Sequence, residues 1–167
     1  NKYYGQSTGA EMEIVSDSGL TPDENAKYVS LGNTSLAESL TVTKAEVNLD
    51  GYKIVRRGKT MLIKAYEDRG VMYGVYEFLH RGFGYECYAI DEIALDVKPT
   101  AYLPDLDFTD APSFEGRFLD GPLDYNQELQ AKLRMKDMNL SSRYGGSAND
   151  EWMGMHCESF LHIVDYD

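Results

Sequence analysis

The sequence predicts a mixed α and β chain, and three observations carry that reading. Two apolar runs, Tyr52 to Arg56 and Met61 to Ala65, flank Arg57-Gly58-Lys59, where a glycine supplies the turn of a short hairpin. Val71, Met72, Val75, Phe78 and Leu79 then recur at helical spacing and make one wide apolar stripe. Further on, past a proline-rich stretch, a strand–helix–strand pattern appears, the unit of a parallel sheet or barrel.

In chain order, residues 1–8 read as the tail of a helix or a lead-in turn. Met12 to Val15 is short, apolar and followed by Ser16-Asp17-Ser18-Gly19, so it is expected to be a strand ending in a turn. Tyr28 to Leu31 is a second strand, closed by Gly32-Asn33, and Thr34 or Ser35 is placed to cap a short helical turn through Leu40. After the hairpin, Asp68 offers a side-chain acceptor to the first free amides of the amphipathic helix, and Gly82 and Gly84 supply its stop. Gly74 lies inside that helix, where it costs about 1 kcal/mol relative to alanine; a glycine there permits close approach to a sheet.

Tyr85 to Tyr88 and Ile93 to Val97 look like strands, after which Pro99, Pro104 and Pro112 punctuate an extended connector. A domain boundary is expected close to Pro112. Beyond it, Phe114 to Leu119 reads as a strand. Asp124 and Gln127 stand at capping-box spacing before a helix to about Met138, and Leu140 to Tyr144 reads as another strand.

Composition narrows the chemistry. The 167 residues are 43% hydrophobic and 26% charged, as in ordinary soluble folds. Sixteen Lys plus Arg against 28 Asp plus Glu give a net charge of -12, a field that repels a phosphate backbone and argues against nucleic acid as partner. A neutral or cationic partner fits better, and a neutral sugar is compatible. The longest apolar stretch, near Val71 to Leu79, is broken by Gly74 and Glu77 and falls far short of the ~20 residues that span a bilayer. The first residues have no apolar core of a signal peptide, although a cleaved signal would leave no trace. Thirteen tyrosines stand against one tryptophan; tyrosine suits strands and also lines sugar-binding surfaces.

Motif chemistry is sparse. Cys87 and Cys157 belong to no CxxC pair, and spacing alone does not decide whether they bond. His156 and His162 are six apart, too far for the i,i+4 pairing of a helical zinc site. Gly145-Gly146 lacks the lysine of a phosphate loop, and no GxSxG nucleophile elbow occurs. No cofactor or metal is expected. Asp91-Glu92 and Asp150-Glu151 are adjacent carboxylates, but adjacency in sequence is not opposition across a substrate.

The run Asp68-Arg69-Gly70-Val71-Met72-Tyr73-Gly74-Val75-Tyr76-Glu77-Phe78-Leu79 resembles the "RG-x-x-YG-x-x-x-FL" helix start of an accessory domain found in glycoside hydrolases. That domain precedes the barrel in beta-N-acetylhexosaminidases, alpha-glucuronidases and a related uncharacterised bacterial group. Val29-Ser30-Leu31-Gly32, Asp50 to Ile54, the hairpin and Leu62-Ile63 fit the same template, and Pro112-Ser113-Phe114-Glu115-Gly116-Arg117 is similar to the "P-x-F-x-x-R" entry into the barrel.

The resemblance implies an α+β fold: a mixed, largely antiparallel sheet with helices on one face over residues 1–111. The first β-α-β of a truncated (β/α)8 barrel would follow over residues 112–167, since a closed barrel needs ~250 residues. It implies a non-catalytic accessory domain of a carbohydrate-active enzyme, secreted or at the cell surface. A non-enzymatic carbohydrate-binding or adhesion module on the same scaffold is the alternative. Catalytic acids of such enzymes lie on later barrel strands, so none is assigned here. The expected substrate-binding residues are Arg117 at the end of the first barrel strand, Asp120 at its mouth and His156 in an early loop. For Arg117 the competing reading is a structural salt bridge. Residues 113–167 are expected to pack against a missing segment or another chain, because a lone strand–helix–strand leaves its edges uncovered.

Overall fold

The computed structural model describes residues 1–114, 116–117, 126–135 and 141–144. Its elements run in the order α1 (Lys2–Thr8), β1 (Tyr28–Leu31), a 3-10 turn (Ser35–Ala37), α2 (Lys44–Val47), β2 (Tyr52–Arg57), β3 (Thr60–Ala65), α3 (Asp68–Phe83), β4 (Glu86–Cys87), β5 (Ile93–Ala94), β6 (Asp107–Asp110), α4 (Gln127–Lys132) and a 3-10 turn (Ser142–Tyr144). Among the described residues, one sheet has the order β1-β3-β2-β6 and a small second sheet pairs β4 with β5. β2 runs antiparallel to both β3 and β6, while β1 is parallel to β3. The chain is therefore α+β with a mixed, mostly antiparallel sheet.

The hairpin is tight: Arg57 pairs with Thr60, and Gly58 takes the left-handed conformation (φ +59°) that this turn requires. Side chains of β3 then alternate as a pleat dictates. Met61, Ile63 and Ala65 point to the face covered by α3, and Leu62 points to the other face, against Ala37 and Leu40 at the 3-10 turn. Phe83, fully buried at the end of α3, gathers the aromatic part of the larger core. Its ring stands 5.5 Å from Tyr4 of α1, 5.2 Å from Phe78 and 5.6 Å from Tyr102.

Helix α3 reaches the sheet through glycine. A Cβ at Gly74 would lie 2.7 Å from Ile63 Cγ2 and 3.2 Å from the Tyr52 ring. One at Gly70 would lie 2.5 Å from the Gly51 carbonyl oxygen. With Phe78 and Gly82, which meets Pro104, these residues recur every fourth position and form the sheet-facing stripe. The apolar stripe read from the sequence is thus only part of the buried face. Phe78 and Leu79 are buried, Val71 and Val75 only partly.

Several local expectations are corrected. Met12 to Val15 is not a strand; Val15 and Ile14 are exposed, and Met12 is tied instead to the Asn1 side chain. Asp68 is the first residue of α3 rather than its cap, and Glu67 occupies the cap position without a side-chain bond. A capping box missed in the sequence joins Thr43 and Glu46 at α2. Strand β6 lies inside the stretch expected to be plain connector, because Asp107 to Asp110 can pair with β2 without a proline among them. α4 is capped by Asn126, whose Oδ1 accepts from Leu129 N at 2.8 Å, and it ends at Lys132, short of Met138. Arg134 follows with φ +58°, which no helix continues. Ser142–Tyr144 forms a 3-10 turn where a strand was expected. Half of the expected strand Phe114 to Leu119, residues 115, 118 and 119, lies outside the described residues, as do Asp124 and Cys157.

Candidate functional site: a buried arginine–carboxylate cluster

Beside the glycine stripe runs a second one on α3: Arg69, Tyr73, Glu77 and Arg81, again four residues apart. Its middle members, Tyr73 and Glu77, meet the polypeptide that follows Pro112. Its first member is placed by backbone packing. Gly70 has no Cβ to hold it off the Gly51 carbonyl, and Gly51 itself is wedged between the Val47 and Asp110 carbonyls. That close approach brings Arg69 Nε to 2.7 Å from Asp50 Oδ1. Asp50 is 3% exposed, and its second oxygen accepts from Arg117 Nη2 at 2.8 Å. One buried carboxylate thus joins the lead-in to the hairpin, the start of α3 and the segment beyond Pro112.

Arg117 also donates from Nη1 to the Phe114 carbonyl at 2.7 Å and from Nε to the Arg134 carbonyl at 3.1 Å. Its guanidinium lies 5.9 Å from the Tyr73 ring centre. The Tyr73 hydroxyl donates to the Met135 carbonyl at 2.6 Å.

A second buried carboxylate repeats the arrangement. Glu77, also 3% exposed, accepts from Arg81 Nε at 2.5 Å and from Arg134 Nη1. Arg134 Nη1 lies 3.1 Å from the Tyr52 hydroxyl, which donates to Asp110 Oδ2 at 3.0 Å. Burial pushes the Tyr52 phenol well above the ordinary tyrosine range; nearby Glu77 and Asp110 push it further, against the opposing pull of Arg134. Burial works against the charge on Arg134, but Tyr52 and Glu77 outweigh it and its pKa stands above the usual guanidinium value.

The expected site residues fare differently. Arg117 is described, and its guanidinium is engaged by Asp50 and two backbone carbonyls. Asp120 and His156 lie outside the described residues, as does the Asp150-Glu151 pair. Asp91 and Glu92 fall at the β4–β5 turn, where the Glu92 carbonyl receives the Tyr88 amide. His80, on the exposed side of α3, has Nδ1 3.1 Å from Glu86 Oε1.

Sequence reasoning missed Asp50, Glu77 and Arg134. Glu77 carried a usable signal, since it sits four residues from both Tyr73 and Arg81 on a flank that could not be solvent-facing if Tyr73 was buried. Arg134 carried none, because its position depends on a left-handed turn after α4.

Among the described residues, no group of three or more His, Cys, Asp or Glu side chains could hold a metal ion, and no helix is long and apolar enough to cross a membrane. A cavity of about 280 Å³ opens beside Asp50, between Lys44, Asn48 and Leu49 on one side and Pro112 and Ser113 on the other. No family model matches the chain, and no curated protein or solved structure is significantly similar to it.

Proposed function

We propose that this chain is a non-catalytic accessory domain of a carbohydrate-active glycoside hydrolase, carrying the opening segment of its barrel. The observation that supports the reading is the inward orientation of the helix motif on which the resemblance rests. Gly70 and Gly74 let α3 close on the sheet, Arg69 pairs with buried Asp50, and Tyr73, Phe78 and Leu79 are buried. A motif whose members all face inward is a scaffold motif, as an accessory domain requires, and not a set of ligands. Asp120 and His156 are kept as candidates for contact with sugar in a completed barrel, whereas the bonds of Arg117 to Asp50 and two carbonyls support the competing structural reading of that residue. A sugar partner agrees with the net charge of -12 only in being uncharged or cationic.

Assay with aryl hexosaminides and glucuronides tests this. The chain alone gives no turnover, and a polypeptide continuing the same reading frame through a whole barrel hydrolyses one of them. Turnover by the chain alone that a single acid-to-amide change abolishes would contradict the reading, as would a continuation that encodes no barrel.

A further inference from the structure

The stripe Arg69, Tyr73, Glu77 and Arg81 does something the carbohydrate reading does not call for. Asp50 and Glu77 are both buried, and each already holds an arginine from its own side of Pro112, Arg69 for one and Arg81 for the other. The segment beyond Pro112 delivers a second arginine to each: Arg117 to Asp50 and Arg134 to Glu77. Between the two points the Tyr73 hydroxyl donates to the Met135 carbonyl. The Asn48 side-chain amide donates to the Pro112 carbonyl at 3.3 Å where the segment begins.

The two arginines are not independent. Arg117 Nε donates to the carbonyl of Arg134, a non-glycine residue held at φ +58°. That backbone conformation is unfavourable by itself for a residue with a Cβ, and something must hold it. Arg117 therefore fixes the peptide from which the Arg134 side chain sets out toward Glu77. A guanidinium is the group for this task, since its fixed fork donates in several directions at once. Lysine at 117 has one nitrogen in place of three, so it cannot meet the Asp50 carboxylate and both carbonyls from the separate positions that Nε, Nη1 and Nη2 occupy.

We propose that Arg117 and Arg134 form a two-point latch that fastens the segment ending at Met135 to the Arg69–Glu77 flank of α3, and that the two points engage and release together. The latch is a conformational device of the chain itself. It makes α4 part of the same folded unit as the sheet, and it opens without unfolding the β2–β3 hairpin, whose own pairing runs from Tyr52 with Ala65 to Arg57 with Thr60 and which Arg134 meets at the Tyr52 hydroxyl. It holds whatever the protein acts on, so its failure and failure of the glycoside reading are separate results.

Hydrogen exchange followed by mass spectrometry on the whole chain tests it, with Arg117→Gln, Arg134→Gln, the double variant and Arg117→Lys. Either single variant is expected to speed exchange of the α4 amides by about tenfold or more, the effect of losing a charge-assisted hydrogen bond. Exchange in β2 and β3 should stay unchanged. The double variant should exceed either single variant by less than twofold, and lysine at 117 should fail to restore protection. Three results overturn the proposal: unchanged α4 exchange in both single variants, fold-changes that multiply in the double variant, or loss of hairpin protection in Arg117→Gln and Arg117→Lys alike. The last would make these contacts an inseparable piece of the core.

Discussion

Arg117 Nη2 lies 2.8 Å from Asp50 Oδ2, across 67 positions of sequence. The carboxylate is buried and shared with Arg69, so this bond is worth more than a surface ion pair, whose contribution is about 0–1 kcal/mol. Removing the carboxylate leaves two guanidinium groups facing a cavity in place of their acceptor. Asp50→Ala is therefore expected to destabilise the chain by about 3–5 kcal/mol, read as a lowered urea midpoint. A change under about 1 kcal/mol would place the pair among ordinary surface bridges.

Gly70→Ala is expected to destabilise although alanine is the better helix former. The gain in helix propensity is about 1 kcal/mol. Against it, the new methyl would sit 2.5 Å from the Gly51 carbonyl oxygen and 2.7 Å from the Ala65 Cβ. The first is backbone of the strand lead-in and has little room to retreat, so overpacking of about 1–3 kcal/mol prevails. A rise in the urea midpoint would show that α3 can lift from the sheet at no cost.

Phe83→Ala removes the ring that joins Tyr4, Phe78 and Tyr102 in one cluster. The expected loss is about 3–5 kcal/mol, the range for a fully buried phenylalanine. Because Tyr4 belongs to α1, near-ultraviolet circular dichroism should weaken even where the variant stays folded. An unchanged aromatic spectrum would speak against the packing of α1 on α3.

Alkali should unfold the protein from about pH 10 upward. Burial foremost, with Tyr3 adding to it, pushes the Tyr76 phenol up to about 12 from its ordinary 10. Burial also raises Tyr52 and Tyr85. A raised folded pKa means that the native state keeps a proton the unfolded chain has lost, so the stabilisation is complete below pH 10 and is lost as pH rises through 12. Melting temperature measured from pH 9 to 12 should fall steadily, and Tyr76→Phe should make the fall shallower. A flat profile, or one that Tyr76→Phe leaves untouched, would contradict this.

What the sequence revealed and what it hid follow from the range of the interactions concerned. The β2–β3 hairpin and α3 are legible because their causes are local: a glycine at the turn, a stripe at helical period, a left-handed glycine stop at Gly84. Gly74 was legible as a point of close approach for the same reason, since an interior helix glycine needs a packing cause. β6 was hidden because its four residues gain a strand only by pairing with β2, far back in the chain. The site was hidden more deeply. Arg117 stood out in sequence, but its acceptor, Asp50, looked like one of 28 acids until the Gly51–Gly70 contact brought α3 onto the strand lead-in.

Asp50 joins the domain to the segment beyond Pro112 through Arg117. A double-mutant cycle with Asp50→Asn and Arg117→Gln, followed by urea unfolding of all four proteins, measures that link directly. The expected coupling is about 1–3 kcal/mol, within the span found for residues in one buried network. A coupling within about 0.3–0.5 kcal/mol of zero, the scatter of independent sites, would contradict it.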